Sequence, residues 1–243
     1  MAGHSKWNNI KRTKGAQDAK RAKIFTKVAR EMIVAVKECG SGDVANNSRL
    51  AAAVAKAKAA NMPSDNIKRT IEKALGDSSG DSYESVTYEG YGPCGVAVIV
   101  EAMTDNRNRT ASEMPHHFDK YGGNMGATGC VSWSFDRRGV IIIDNEDESL
   151  HEDAVITDAL EAGAEDVVTG PGVFEVYTVP EDLAAVNDAL ESAGYKFLSA
   201  QVEMVPQNYI KLADPLDIKN MDKMLDLMED SDDVQNVWHN YEN

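Results

Sequence analysis

Apolar residues recur at three- and four-residue intervals from Phe25 through Val28, Ala29, Met32 and Ile33 to Val36. That spacing predicts one buried face on a helix from about Asp18 to Cys39, with Gly40 as its stop. Lys20, Lys23, Lys27, Arg30 and Lys37 fall on the opposite side of the same helix. A second helix follows a short loop, with Asn46 or Asn47 as cap and Leu50, Val54 and Ala57 as buried stripe. A third begins near Pro63 and Ser64 and carries the row Ile67, Ile71 and Leu75. Gly76 to Ser82 has the composition of a flexible linker, and residues 1–17, which lack an apolar period, read as a mobile arm.

Beyond the linker the period changes. Tyr83–Tyr91 and Val96–Met103 read as a hairpin turned by Gly92-Pro93-Cys94-Gly95. A helix near Arg107–Tyr121 follows, capped by Asp105 or Asn106 and kinked or divided by Pro115, and a glycine-rich loop leads to a strand at Val131–Phe135. Next come Gly139–Asp144, His151–Ala162, Asp166–Thr169, Phe174–Val179, Glu181–Ala193 and Phe197–Val205, a βαββαβ order that predicts a ferredoxin-like unit. An amphipathic helix at Asp217–Glu229 and a strand at Val234–His239 complete the pattern. Residues 83–135 and 215–240 are each an incomplete layer, but together they supply a four-stranded sheet and two helices. The expected fold is therefore α+β: a three-helix basic domain followed by two α/β sandwich domains, one ferredoxin-like and inserted in the other. The expected boundaries are 1–76 for the basic arm and helices, 79–136 plus 207–243 for the discontinuous domain, and 137–206 for the inserted one.

Charge gives this organisation a function. The 243 residues hold 25 Lys and Arg against 40 Asp and Glu, yet residues 1–76 carry 16 basic and 6 acidic side chains, while residues 77–243 carry 9 and 34. A basic head on an acidic body predicts a head that binds a polyanion. Trp7 beside Lys6 adds a stacking surface to the cations, a combination suited to nucleic acid. The competing reading is a basic helical domain that only pairs with the acidic body. No apolar run approaches the ~20 residues of a membrane span, the basic N-terminus is not signal-like, and three cysteines without a CxxC pattern read as reduced thiols. These features predict a cytoplasmic protein with no membrane partner, cofactor or small-molecule substrate.

Side chains that carry catalysis in other proteins are poorly spaced here. His116 and His117 are adjacent, not four apart, so they do not make a metal pair on a helix. Glu101, Asp105 and Glu113 would suit Mg²⁺ in a nuclease-like cluster, but capping by Asp105 and pairing with Arg107 or Arg109 is the stronger reading. Gly122–Gly129 lacks the Gly-Lys-Ser/Thr ending of a phosphate loop and precedes a strand. His4 and Ser5 have no aspartate close in sequence to complete a triad. Asn106-Arg107-Asn108-Arg109 sits at a strand-to-helix junction, either as a second polyanion contact or as a network pinning the hairpin to the helix.

The run Ala2-Gly-His-Ser-Lys-Trp-Asn-Asn-Ile-Lys11 resembles the YebC family, as do Asn61-Met-Pro, Asp65-Asn-Ile, Tyr88-Glu-Gly-Tyr-Gly-Pro and above all Thr104-Asp-Asn-Arg-Asn-Arg-Thr-Ala-Ser-Glu113. Gly122-Gly-Asn, Val131-Ser-Trp, Glu161-Ala-Gly-Ala-Glu-Asp166 and Asp233-Val-Gln-Asn-Val-Trp-His-Asn240 extend the likeness over nearly the whole chain. The resemblance implies three domains and a regulator of gene expression in the bacterial cytoplasm. Many family members carry the label of probable transcriptional regulator with DNA binding. Mitochondrial relatives are translational activators, and some bacterial ones work at the ribosome on difficult peptides such as polyproline. This chain departs from the family pattern at Arg12-Thr13, at Met114-Pro115 and at Cys94, which stands where a glycine is usual and would be strained by a positive φ.

The expected function is thus a non-enzymatic, DNA-binding transcriptional regulator. A translation factor bound to ribosomal RNA is the alternative, and a metal-dependent nuclease the remote third. The expected nucleic-acid contacts are His4, Lys6, Trp7, Lys11, Arg12, Lys14, Lys20, Arg21, Lys23, Lys27, Arg30, Arg107 and Arg109, with no catalytic or metal-binding residues. Because the cations of the first helix lie opposite its apolar stripe, charge reversal at Lys20, Lys23, Lys27 and Arg30 is expected to abolish binding and spare the fold.

Overall fold

The computed structural model describes residues 17–76 and 83–242, with side chains from Lys23 onward in the first helix. The arm and the linker fall outside the described residues. Two compact units divide the rest: residues 17–76, 83–130 and 213–237 form one, and 131–212 with 238–242 form the other.

The first unit opens with α1 (Gln17–Cys39), α2 (Ser48–Ala59) and α3 (Ser64–Gly76). Val28, Met32, Ala35 and Val36 of α1 close a core with Leu50, Val54 and Ala57 of α2 and Ile67 and Ala74 of α3. Asn47 fixes the entry to α2. Its side chain accepts from Leu50 N at 3.0 Å and donates to Ala35 O at 2.8 Å, so one buried amide both caps α2 and ties it to α1.

Next, β1 (Glu84–Tyr91) and β2 (Ala97–Thr104) pair antiparallel from Glu84↔Thr104 to Tyr91↔Ala97. Cys94, in the turn between them, takes the left-handed conformation, φ 54° and ψ 23°. Its Sγ donates to Asp217 Oδ2 at 3.0 Å. Helix α4 (Arg107–Asp119) is capped by Asn106, whose side chain accepts from Arg109 N at 3.1 Å. It runs through Pro115 undivided. The strand expected at Val131–Phe135 does not form: Ser132–Ser134 is a 3-10 turn, and the strand partner of β1 on that side is β3 (Asn124–Met125), inside the glycine-rich loop. The sequence there is short in alternating apolar residues, so pairing with Gly90 and Tyr91, not side-chain pattern, defines β3.

The second unit is βαββαβ: β4 (Phe135–Asp144), α5 (Glu152–Glu161), β5 (Asp166–Gly170), β6 (Val173–Thr178), α6 (Leu183–Ser192) and β7 (Phe197–Pro206). Its sheet order β5-β6-β4-β7, all antiparallel, is the ferredoxin-like order. Strand alternation sends Ile141, Ile143, Phe174 and Val176 toward Val155 and Ala159 of α5 and Val186 and Leu190 of α6. Val140, Ile142, Val173 and Tyr177 form a second cluster on the other face, so β4 is buried on both sides and reads as an unbroken apolar run.

After β8 (Ile210–Lys211) the chain supplies α7 (Pro215–Asp230) and β9 (Val234–His239), and β10 (Tyr241–Glu242) then pairs with β8 in parallel. Strand β9 completes a sheet of order β3-β1-β2-β9; α4 packs on β1 and β3, and α7 packs on α4 and the β1–β2 turn. The sheet begun at β1 is therefore finished by residues more than a hundred positions later, with the ferredoxin-like unit inserted between.

Candidate nucleic-acid interface

Lys23, Lys27 and Arg30 are spaced by four and three residues and form one row along α1. This row meets the carboxyl end of α7. The last carbonyls of any helix lack donors from within it and carry the negative end of its dipole. Here lysines supply the donors: Lys27 Nζ reaches Glu229 O at 2.8 Å, and Lys23 Nζ reaches Asp230 O at 3.2 Å and Asp230 Oδ1 at 2.7 Å. Burial pushes the Lys27 ammonium below its ordinary pKa, against the attraction of Glu229.

One turn on, Arg30 Nη1 donates to Asp232 O at 2.6 Å, Asp233 Oδ1 at 2.8 Å and Met103 O at 3.3 Å. Its guanidinium lies 5.3 Å from the centre of the Tyr83 ring. Val34, next along the row, is buried but lies outside the helical core cluster. Lys23, Lys27 and Arg30 are thus engaged by the chain's own acidic segment, Lys23 while its side chain is still 40 % exposed. The pattern that signals it is Val34, an apolar residue in line with the cations, matched by the acidic run Glu229-Asp-Ser-Asp-Asp233.

Asp233 is the centre of the arrangement, its side chain 6 % exposed. One oxygen takes Arg30; the other takes Arg109 Nη2 at 2.8 Å, Thr110 Oγ1 at 2.8 Å and Thr104 Oγ1 at 3.1 Å. Burial raises the carboxyl pKa, but the hydrogen bonds from Arg109, Thr110 and Arg30 outweigh it and hold the group below its ordinary value. Arg109 also bonds Asp105 Oδ1 at 2.9 Å, and its two carboxylate partners hold it firmly protonated. Arg109 therefore belongs to the pinning network. Arg107 differs: its side chain is 68 % exposed, with Glu84 Oε2 3.9 Å away.

The glycine-rich loop is a strap on the sheet. Buried Glu89 accepts from Gly129 N at 2.8 Å, and its carbonyl accepts from Gly126 N at 2.9 Å. Glu101, offered by sequence for Mg²⁺, instead accepts from Asn236 Nδ2 at 2.7 Å. Among the described residues, no group of three or more His, Cys, Asp or Glu side chains is placed to hold a metal ion. His117 packs partly buried, and burial lowers its pKa, while His116 is exposed.

Of the expected nucleic-acid contacts, His4, Lys6, Trp7, Lys11, Arg12 and Lys14 lie outside the described residues, as do the side chains of Lys20 and Arg21. Lys58, Lys68, Arg69 and Lys73, beyond the contacts expected from the sequence, are exposed on α2 and α3, with Asp65 and Glu72 also exposed on α3. Among the described residues no helix is long and apolar enough to cross a membrane.

Comparison with known proteins adds to this geometry. The family model described as the TACO1/YebC N-terminal domain matches residues 5–77, and that of the TACO1/YebC second and third domain matches residues 83–241. A protein of Acetivibrio thermocellus named "probable transcriptional regulatory protein" is 55 % identical over 99 % of both chains. One of the same name from Finegoldia magna is 51 % identical over 100 % of both. The crystal structure of a conserved hypothetical protein from Aquifex aeolicus superposes with a TM-score of 0.85 at 44 % identity, covering 94 % of this chain and 93 % of that one.

Proposed function

The chain belongs to the TACO1/YebC family, and from that premise we propose that it is a non-enzymatic regulator of gene expression that binds nucleic acid, DNA in the first instance, through its basic N-terminal head. The observation that carries this reading is the segregation of charge, 16 basic against 6 acidic side chains in residues 1–76 of an otherwise acidic protein. The names borne by its relatives support transcription as the process. Because the chain's own acidic segment holds Lys23, Lys27 and Arg30 in this structure, the contacts assigned to nucleic acid without any rearrangement are the arm (His4, Lys6, Trp7, Lys11, Arg12, Lys14), Lys20 and Arg21, exposed Arg107, and Lys58, Lys68, Arg69 and Lys73 of α2 and α3.

Contacts of this kind read phosphate and shape, so affinity falls steeply with salt, by a slope of roughly −0.9 per phosphate neutralised on duplex DNA. Fluorescence anisotropy of the full chain on a labelled duplex, titrated from low to moderate salt, tests this. An affinity flat across that range overturns the electrostatic reading. Crosslinking in cells, followed by sequencing, identifies the partner: promoter DNA supports the proposal, and recovery of ribosomal RNA alone replaces it with action in translation. Turnover of nucleic acid abolished by a chelator would make the protein an enzyme instead.

A further inference from the structure

We propose that the acidic segment Glu229–Asp233 is an internal polyanion mimic, which occupies the cationic row of α1 and is displaced when nucleic acid binds there. The inference rests on the nucleic-acid reading above and adds regulation to it.

Two independent observations point the same way. First, the three helices close their own core: the cluster built on Met32, Leu50 and Ala57 draws all its members from residues 25–74. That cluster takes no residue from the sheet, although Val34 of α1 is buried outside it. Second, the described polar contacts of the row to the acidic segment are those a phosphate backbone would offer. Lys23 takes a carboxylate and a carbonyl of Asp230, Lys27 a carbonyl of Glu229, and Arg30 a carbonyl of Asp232 and the carboxylate of Asp233. Acceptor oxygens arrive at successive turns of α1, carboxylates of Asp230 and Asp233 at the row's two ends and peptide carbonyls between, from a helix end whose dipole makes those carbonyls more negative. Val34 is the apolar residue on the row.

Ionic and hydrogen-bonded contacts of this kind exchange for equivalent contacts with another polyanion, because the charge partner is replaced, not lost. The free protein then holds its α1 site closed against weak or short anions. A nucleic acid long enough to bring several phosphates to the row at once gains the site. The apparent affinity of the closed protein is reduced by the fraction of time the row is free.

The test uses the full chain and a labelled single-stranded 20-mer alongside a duplex of the same length. The variant Glu229→Gln, Asp230→Asn, Asp232→Asn removes the mimic's side-chain charge and leaves Asp233 intact. A control variant, Glu161→Gln, Glu181→Gln, Glu191→Gln, changes the net charge equally on the ferredoxin-like unit. The first should bind about tenfold more tightly than the parent at the same salt, and the control should not. Equal tightening in both, or in neither, overturns the proposal. Hydrogen exchange provides a second reading: amides of 229–233 in the parent should exchange faster when the 20-mer is saturating, and unchanged exchange at saturation overturns the proposal. If no variant binds either oligonucleotide, the nucleic-acid reading itself fails. The mimic is then judged on exchange with heparin as the polyanion: acceleration at 229–233 supports displacement, and none rejects it.

Discussion

Arg30 and Asp233 form a 2.8 Å ion pair although 203 positions separate them in the sequence, and both side chains are largely withdrawn from water. The pair joins α1 to the turn that feeds β9, and the same carboxylate holds Arg109, Thr104 and Thr110. One acidic side chain thus fixes the helical domain, the start of α4 and the end of β2 in a common frame.

Removing that side chain leaves two arginines without their shared partner. Asp233→Ala should cost about 3 kcal/mol, the range for breaking a buried pair, and Arg30→Met less, because Arg109 still satisfies the carboxylate. The folded carboxyl titrates below its unfolded value. Its contribution is therefore complete above the unfolded pKa, near 4, and lost as pH falls through the depressed folded value. Urea melts of parent and Asp233→Asn should differ most at neutral pH and converge as pH falls through the depressed folded pKa. A difference that stays constant throughout the acid limb would remove Asp233 from it.

Charge reversal on α1 is not the neutral surface change that the sequence alone suggested. Lys23→Glu and Lys27→Glu would place carboxylates against Asp230 and the negative end of α7. Together they should destabilise the first unit by roughly 1–3 kcal/mol. Thermal melts should show the loss, and Lys27→Glu should account for more of it because Lys27 is the more withdrawn from solvent. Parent-like melting for both variants would show that these lysines do not secure the contact.

Glu175 in the ferredoxin-like unit gives the opposite pH dependence. It is buried, its Oε2 accepts from Tyr177 O–H at 2.6 Å, and burial lifts its pKa from 4.5 to about 7, the Tyr177 hydrogen bond opposing only in part. The folded state binds this proton more tightly than the unfolded state, so stability is greatest below about pH 4, declines as pH rises to 7 and is level beyond. Glu175→Gln keeps an acceptor for Tyr177 and removes the charge. It should raise stability at pH 8 by about 2–3 kcal/mol and leave it nearly unchanged at pH 4. Equal effects at both pH values would refute the protonation account.

Gly90 tests the strap. A Cβ there would meet Asn124 O at 2.5 Å and the Phe118 ring at 2.8 Å. Both neighbours are fixed, one as backbone of β3 and the other as a fully buried ring. Gly90→Ala should therefore cost about 2 kcal/mol or more through overpacking, whereas Gly40→Ala, with open space but φ 68°, should cost only about 1 kcal/mol. Chemical melts of the two variants measure the difference; equal losses would show that β3 yields to make room.

Much of the architecture was legible from local pattern. The three-helix head, the hairpin, the βαββαβ order and the amphipathic helix that became α7 each announce themselves by apolar period and by capping or turn residues, which act within a few positions. The Asn47 and Asn106 caps illustrate this, since each bonds a backbone N–H three residues on. The expected strand at Val131–Phe135 failed for the converse reason. A two-residue strand such as β3 has no period of its own and exists through its partner, Gly90-Tyr91.

The sequence by itself determined the division of charge: a basic first third and an acidic remainder are properties of composition. It also determined that Lys23, Lys27 and Arg30 share one side of a helix, because 3.6 residues per turn fixes that. Which object faces those cations is not a local property. Tertiary structure decided it by returning the chain at residue 215 to finish the first sheet, which sets the end of α7 and Asp233 against α1. An ion pair between positions 203 apart depends on the closure of a whole domain, and no window along the chain contains that information.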